Sequence, residues 1–412
     1  MRWHQMIARF AVGVASLVLV GGCTPATTSP SASPASASVS PSTSPSPSPA
    51  ATSSPSPTGD WLAAPEQPSV SGVQYQDVVW TGGRFVATGR ALDGGGVFLD
   101  SADGRTWHRQ GALDPESYPS RLAVGRLGVV AVGDIAGRPA SWVSSDGLSW
   151  TVAADAFPAS PAGTDTLGVL DVVATDAGWL AVGREDPACN MNCGNEPIRA
   201  LVWTSPDGLR WTPVGGQTSF DGGGMATVTR GGPGYVAAGG SAGGHAAIWT
   251  STDGNAWARV ADDPMFGPDT DPSFPAGVVG LAASESLVVA VGRDVSDGGG
   301  SVLAWWSADG QSWREATVEL PLRGQVFDVS ATPEGFLATG PSGEPSCLGG
   351  IWASSAGRAW QCVASDPLLA GFGPYASASS SSVEVVVGLT SVGYDENSPL
   401  GLPGAVWWRS LQ

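Results

Sequence analysis

The chain has 412 residues, of which 42% are apolar and only 14% charged, with 19 basic against 37 acidic residues and a net charge of −18. That balance offers no basic face to displace the counterions of a polyanion, which excludes nucleic acid as a partner, and it disfavours direct adhesion to anionic lipid. Every basic residue is an Arg, the mark of GC-rich coding.

Residues 1–22 read as a signal peptide. Arg2 and Arg9 supply a basic start, and the apolar run at 10–20 is too short to span a bilayer as a mature helix. The "VGGC" that follows resembles the lipobox of bacterial lipoproteins. The resemblance implies that Cys23 becomes the mature N-terminus and carries a diacylglyceryl group, whose two acyl chains anchor stably where one would not. The expected location is the extracytoplasmic face of the cell membrane, reached through this lipid. Residues 24–58 contain only Thr, Pro, Ala, Ser and one Val. Such a segment cannot bury enough apolar surface to offset its ordering entropy, so residues 23–58 are expected to form a disordered, lipidated stalk. Its prolines favour extended polyproline II, with a reach of roughly 100 Å.

Residues 59–412 repeat a four-strand unit. Its third copy runs "LDVVATDAGWLAVG", a variable loop, then "ALVWTSPDGLRWTPV". The spacing predicts strands near 170–174, 179–182, 200–204 and 210–214, rich in Val, Leu, Ala and Trp and bounded by Gly, Asp and Pro. Second strands recur at 84–89, 128–133, 178–183, 234–239, 287–292, 335–340 and 383–388, which makes seven units. Four strands repeated every 40 to 60 residues predict an all-β fold, a seven-bladed propeller. The seventh unit ends after its third strand, "AVWWRS". The missing strand is predicted at 60–65, where Trp61 matches Trp107, Trp150, Trp211, Trp257, Trp313 and Trp360 of the other fourth strands. Such closure pairs both ends of the domain and removes an open sheet edge.

Each third-to-fourth turn reads Ser-x-Asp-Gly-x-x-Trp, with Asp103, Asp146, Asp207, Asp253 and Asp309 in five units and Ala356 in the sixth. Asp and Gly suit the turn, Ser and Asp side chains bond turn amides, and Trp plugs the space beneath. The motif resembles the Asp-box, or BNR repeat, of sialidase-like propellers, shortened by one residue between Asp and Gly. A residue repeated around a ring and dispensable once is read as a brace, not a catalyst.

The four remaining cysteines suit disulfides in an exported chain. Cys189 and Cys193 can close a small loop, and Cys347 and Cys362 flank a predicted hairpin. The loops between second and third strands and the blade crossings carry the variation in length and sequence. Candidate ligand-binding residues there are Arg184, Glu185, Asp186, Arg293, Asp294, Tyr394, Asp395 and Glu396. Asp262, Asp263, Asp269 and Asp271 crowd one crossing as oxygen-rich calcium candidates without EF-hand spacing, and no other cofactor is indicated.

The resemblance makes a sialidase-like glycoside hydrolase the leading enzyme alternative. Such enzymes use a Tyr nucleophile, an acid and an arginine trio, with an Arg-Ile-Pro motif that is missing from this sequence. Arg84, Arg90, Arg126, Arg184 and Arg293 flank second strands, and Tyr75, Tyr118, Tyr375 and Tyr394 are placed outside the core strands. "GGSAG" at 239–243 matches a nucleophile pattern only by letters, since that pattern needs a strand-to-helix elbow. The expected function is a lipid-anchored, monomeric binding or scaffold module with a glycan or protein ligand in the cell envelope. An assembly factor for membrane complexes is a further alternative.

Overall fold

The computed structural model describes residues 60–411, apart from 66, 68–69, 93, 112, 159–165, 187–197, 242–245, 261–263, 267–276, 295–300, 319–323, 343–344, 365 and 392–402. The expectations for the signal peptide, Cys23, the stalk, Cys189, Cys193, the four calcium candidates, Tyr394, Asp395 and Glu396 lie outside the described residues.

The described chain forms seven blades in a ring, each built on four antiparallel strands. Blades one to six pair their four antiparallel strands in sequence order. In blade three these are Thr166–Ala174, Trp179–Asp186, Arg199–Ser205 and Thr212–Val214. The seven first strands pack side by side, and the last of them, Phe372–Ser379, meets the first, Val73–Trp80. Blade seven takes its outer strand from the start of the domain. Leu62 lies opposite Trp408 and Ala63 opposite Trp407.

Second strands are apolar on both faces because every blade is sandwiched between two others. Val86, Ala87, Leu180, Ala181, Val386 and Val387 are all fully buried. Seven hydrophobic clusters result, one at each blade-to-blade interface. Each receives one Trp of the predicted series. Trp61 fills the six–seven interface, alongside Leu337, Phe372 and Trp407. Trp107, Trp150, Trp211 and Trp257 stand just before the short fourth strands instead of inside them.

The Gly ending each second-strand motif has a packing reason. A Cβ on Gly89, Gly133, Gly183, Gly239, Gly292 or Gly388 would lie within 2.6 Å of a first-strand carbonyl oxygen, and one on Gly340 would meet the Gln325 carbonyl just before its first strand. Where the backbones approach this closely the first strands bulge, as between Tyr75 and Asp77 or Val169 and Asp171.

Blade six departs from the pattern. A fifth strand, Thr317–Val318, runs parallel to the fourth, with Thr317 opposite Ala359. Cys347 and Cys362 form the expected disulfide across 15 residues, with Cα atoms 5.7 Å apart. In the chain-entropy view a loop of that length is worth about 3 kcal/mol.

Candidate functional site

The repeated turns close on themselves. In five blades the Ser Oγ donates to the Asp carboxylate at 2.9–3.2 Å and accepts from the Gly amide at 2.8–2.9 Å. The same carboxylate accepts the next two amides at 2.7–3.0 Å. The Gly residues at these turns hold φ of 71–78°, a region that favours glycine. Asp309 is drawn down to about 2 by the amides of Ser312 and Gln311. Asp146 and Asp253 shift the same way, led by the amides of Ser149 and Ala256. For Asp103 and Asp207 partial burial pushes upward, and the turn amides outweigh it. A carboxylate stabilised this way is a poor proton donor, so its chemistry is that of a brace.

Two glutamines extend the bracing between blades. Gln67 donates to the Arg105 carbonyl at 2.8 Å and accepts the Trp107 amide at 2.7 Å. Gln217 repeats this with Asn255 and Trp257, both at 2.7 Å.

A charged cluster that the sequence reading missed sits where the first strands bulge. The equivalent positions in blades one to seven are Asp77, Arg121, Asp171, Thr227, Gly280, Asp328 and Ala376. Arg121 interacts electrostatically with all three aspartates. Both oxygens of Asp77 are engaged. Oδ1 accepts the Val78 amide at 2.8 Å, and Oδ2 accepts the Leu122 amide of the next blade at 2.7 Å. Asp171 does likewise with Val172 and Val228, each at 2.8 Å. Asp328 accepts from Val329 and from Ser377 of blade seven. Desolvation pushes Asp77 up to about 7 and Asp328 up to about 6, against the pull of Arg121 and the amides. Asp171 rises for the same reason. Acids and an Arg therefore converge at the ring's inner wall, but the acids clamp neighbouring strands together. The signal was legible as Asp-Val repeated at 77–78, 171–172 and 328–329.

The other expected residues are dispersed. Tyr75, Tyr118 and Tyr375 are corrected to the innermost strands themselves, since first strands begin earlier than their apolar runs suggest. Burial raises the Tyr75 phenol, which leaves it a poor nucleophile. Arg84 pairs with Asp100 at 2.9 Å, and Arg126 donates to the Asp176 carbonyl at 3.0 Å. Arg90 lies over the Tyr118 ring, 5.2 Å from its centre. Arg184, in the equivalent position of blade three, packs where a Cβ on Gly224 of the next blade would stand. Glu185 beside it is buried. By register Arg293 occupies the same place in blade five, while the side chains of Arg293, Asp294 and Asp186 fall outside the described set. Among the described residues no three His, Cys, Asp or Glu side chains are arranged to hold a metal ion. Two concave patches among the described residues lie at the opposite ends of the strands. A shallow groove of about 570 Å³ between blades four and five is lined by Arg230, Gly232, Ser284 and Glu285.

No protein-family model and no curated protein matches the sequence. Solved structures do match in shape. A catalytically inactive virginiamycin B lyase from Staphylococcus aureus, with quinupristin, superposes with a TM-score of 0.52 at 10% identity, over 85% of this chain and 99% of that one. The SapL1 lectin in complex with alpha methyl fucoside gives 0.44 at 14% identity, over 72% and 96%. The sialidase of Trypanosoma rangeli gives 0.45 at 12% identity, over 82% and 55%. Likeness at such identities is of fold alone, and the fold is the β-propeller.

Proposed function

We propose that the chain is an exported, lipid-anchored propeller that binds a glycan or protein ligand of the cell envelope across the face carrying its second-to-third-strand loops and blade crossings. The observation that carries this reading is the contrast between the two faces. One face is built from short turns, and in five blades the Ser and Asp of the third-to-fourth turn satisfy one another and the turn amides, which leaves those turns little to offer a ligand. The other carries long, dissimilar loops on the ring, with Arg90 and Arg184 near the loop-side ends of two second strands. The lipobox-like "GGC" and the Ser/Pro stalk support display at the membrane surface. The hydrolase alternative draws little support from the inner wall, because both Asp77 and both Asp171 oxygens are committed to backbone amides.

A glycan array that includes sialosides and cell-wall fragments, probed with residues 59–412 with and without calcium, tests the reading. Selective binding that is lost when loop 187–197 or 392–402 is replaced supports a recognition face. Cleavage of a sialoside would replace the proposal with the hydrolase, and binding that persists after both replacements would move the site elsewhere. Release of a Cys23→Ser chain into the medium tests the anchor.

A further inference from the structure

Blade six keeps most letters of the repeated turn but not its bonds. Its sequence is Ser354-Ser355-Ala356-Gly357-Arg358-Ala359-Trp360, with Ala356 where five blades have Asp. The carboxylate that gathers two amides elsewhere is therefore missing. The buried Ser354 hydroxyl has no hydrogen-bond partner, whereas its five counterparts bond both the Asp and the Gly amide. The Trp360 Nε1 is buried and unpaired as well. In blades one, three, four and five the matching indole donates to the turn Gly carbonyl at 3.0–3.2 Å. The fourth strand, Ala359–Cys362, thus follows a turn that lacks the side-chain bonds of the other blades. Arg358 of this turn rests on the Trp306 ring of blade five, 4.4 Å from its centre, with Arg314 on the same ring at 5.2 Å. Both guanidinium groups are exposed, so water weakens these contacts.

Two other ties hold this strand, and neither has a counterpart on the fourth strand of another blade among the described residues. The first is covalent. Cys362 ends the strand and is joined to Cys347, in the loop between the second and third strands. Cys347 is fully buried in the five–six interface, in one cluster with Trp352 and Trp360. The second tie is the strap Thr317–Val318, which runs along the outer side of the strand. Thr317 donates to the Arg358 carbonyl at 2.9 Å, and Val318 lies opposite Trp360, half-buried against the same cluster. The strap's one sheet neighbour is the fourth strand, and the ladder from that strand to the third pairs only Trp352 with Cys362 and Ala353 with Gln361. The strap therefore rests on the strand, and the strand on the disulfide.

We infer that these elements form a redox-gated flap: the Cys347–Cys362 disulfide takes the place of the missing turn brace, and its reduction lets Ala359–Cys362 and Thr317–Val318 open together. The co-reactant is a dithiol. Cys362 is the end it attacks, because Cys362 is half-buried while Cys347 is sealed. One thiolate of the dithiol bonds to the Cys362 Sγ, the disulfide breaks, and Cys347 leaves as a thiolate that takes up a proton. The second thiolate of the dithiol then attacks the dithiol's own sulfur in the mixed disulfide. Cys362 leaves and is protonated, and the reductant departs as a cyclic disulfide, having passed two electrons to the pair of cysteines. Opening uncovers the edge of the third strand, Ile351–Ser354, and the cluster around Trp352. The flap is separate from the ligand binding proposed above and does not depend on it.

The test follows amide hydrogen exchange along the full chain, oxidised and after incubation with dithiothreitol. Residues 317–318 and 359–362 are expected to exchange about a hundredfold faster after reduction, the scale for a disulfide that closes a loop of this length. The fourth strand of blade two, Thr151–Ala153, is expected to keep its rate. A chain carrying Cys347→Ser and Cys362→Ser is expected to show the fast rates with or without dithiothreitol. Ala356→Asp returns the residue that five blades carry, so its reduced form is expected to exchange about fivefold slower than reduced wild type at 359–362. A disulfide that dithiothreitol leaves intact in the native chain, or an unchanged rate at 359–362 once thiol titration shows it reduced, would overturn the inference. Equal acceleration in every blade would do so too, since the disulfide would then staple the whole ring. A response to dithiothreitol in the double-serine chain would place the effect at another cysteine pair, and no slowing in A356D would refute the link to the missing brace.

Discussion

Removing one turn carboxylate measures how much the repeated motif contributes to the ring. Asp309 accepts the amides of Gln311 and Ser312 at 2.9 and 2.7 Å and the hydroxyls of Ser307 and Ser312 at 2.9 Å each. Those bonds lower its carboxyl from 3.8 to about 2. Taken in full, that shift corresponds to about 2 kcal/mol. The group is exposed, however, and water screens such interactions, so about 1 kcal/mol is the expected loss in Asp309→Ala. For a ring of this size the melting temperature then falls by roughly 1 to 2 °C, and a denaturant midpoint at pH 7 resolves the difference. The sign of the pH dependence follows from the lowered carboxyl. The stabilisation is present above the unfolded-state value near 4 and is lost as pH falls through about 2. The deficit of the variant should therefore be constant from pH 8 to about 5 and shrink below 4. Ser354→Ala in blade six is the matched control, expected within about 0.5 kcal/mol of wild type because its hydroxyl makes no bond. An unchanged midpoint for Asp309→Ala at pH 7, or a deficit that persists undiminished at pH 2, would refute the reasoning.

Trp61→Ala is expected to cost about 3 to 5 kcal/mol, since the side chain is buried in the six–seven interface and ties the first strand to the last. Limited proteolysis after residue 65 should accelerate with it, and a wild-type cleavage rate would show that the ring closes without this strand. The inner-wall acids predict the opposite pH response from the turns. Burial raises Asp77 and Asp328 to about 7 and about 6, so their contribution is fully present below the unfolded value and is lost as pH rises through 6 to 7. Urea stability should fall between pH 5 and 8, and the slope should flatten in Asp77→Asn. A slope identical to wild type would mean that Asp77 is already ionised across that range.

Much of this was legible because propeller blades are local. Each blade is consecutive in sequence, so strand runs, turn motifs and the unpaired "GDWLAAP" sufficed to count seven blades and place the closing strand. The self-contained hydrogen bonding of Asp309 involves residues within three positions of one another, which is why a seven-residue motif encodes it. The disulfide was readable for the same reason, as Cys347 and Cys362 flank one hairpin.

What the sequence did not declare lies between blades. Asp77, Asp171 and Asp328 are far apart in the chain and meet Arg121 only because seven first strands are brought to one inner wall. Their partners, the amides of Leu122, Val228 and Ser377, belong to the following blade. Tyr75, Tyr118 and Tyr375 read from sequence as lying outside the core strands because bulges interrupt the apolar alternation that marks a strand. The meeting of Arg314 and Arg358 on Trp306 joins two blades in the same way. Sequence determined each blade, its turns and the order of closure, because those depend on short-range backbone and side-chain chemistry. Only the tertiary structure decided which charges face one another, because ring closure sets distances between residues that no local pattern relates.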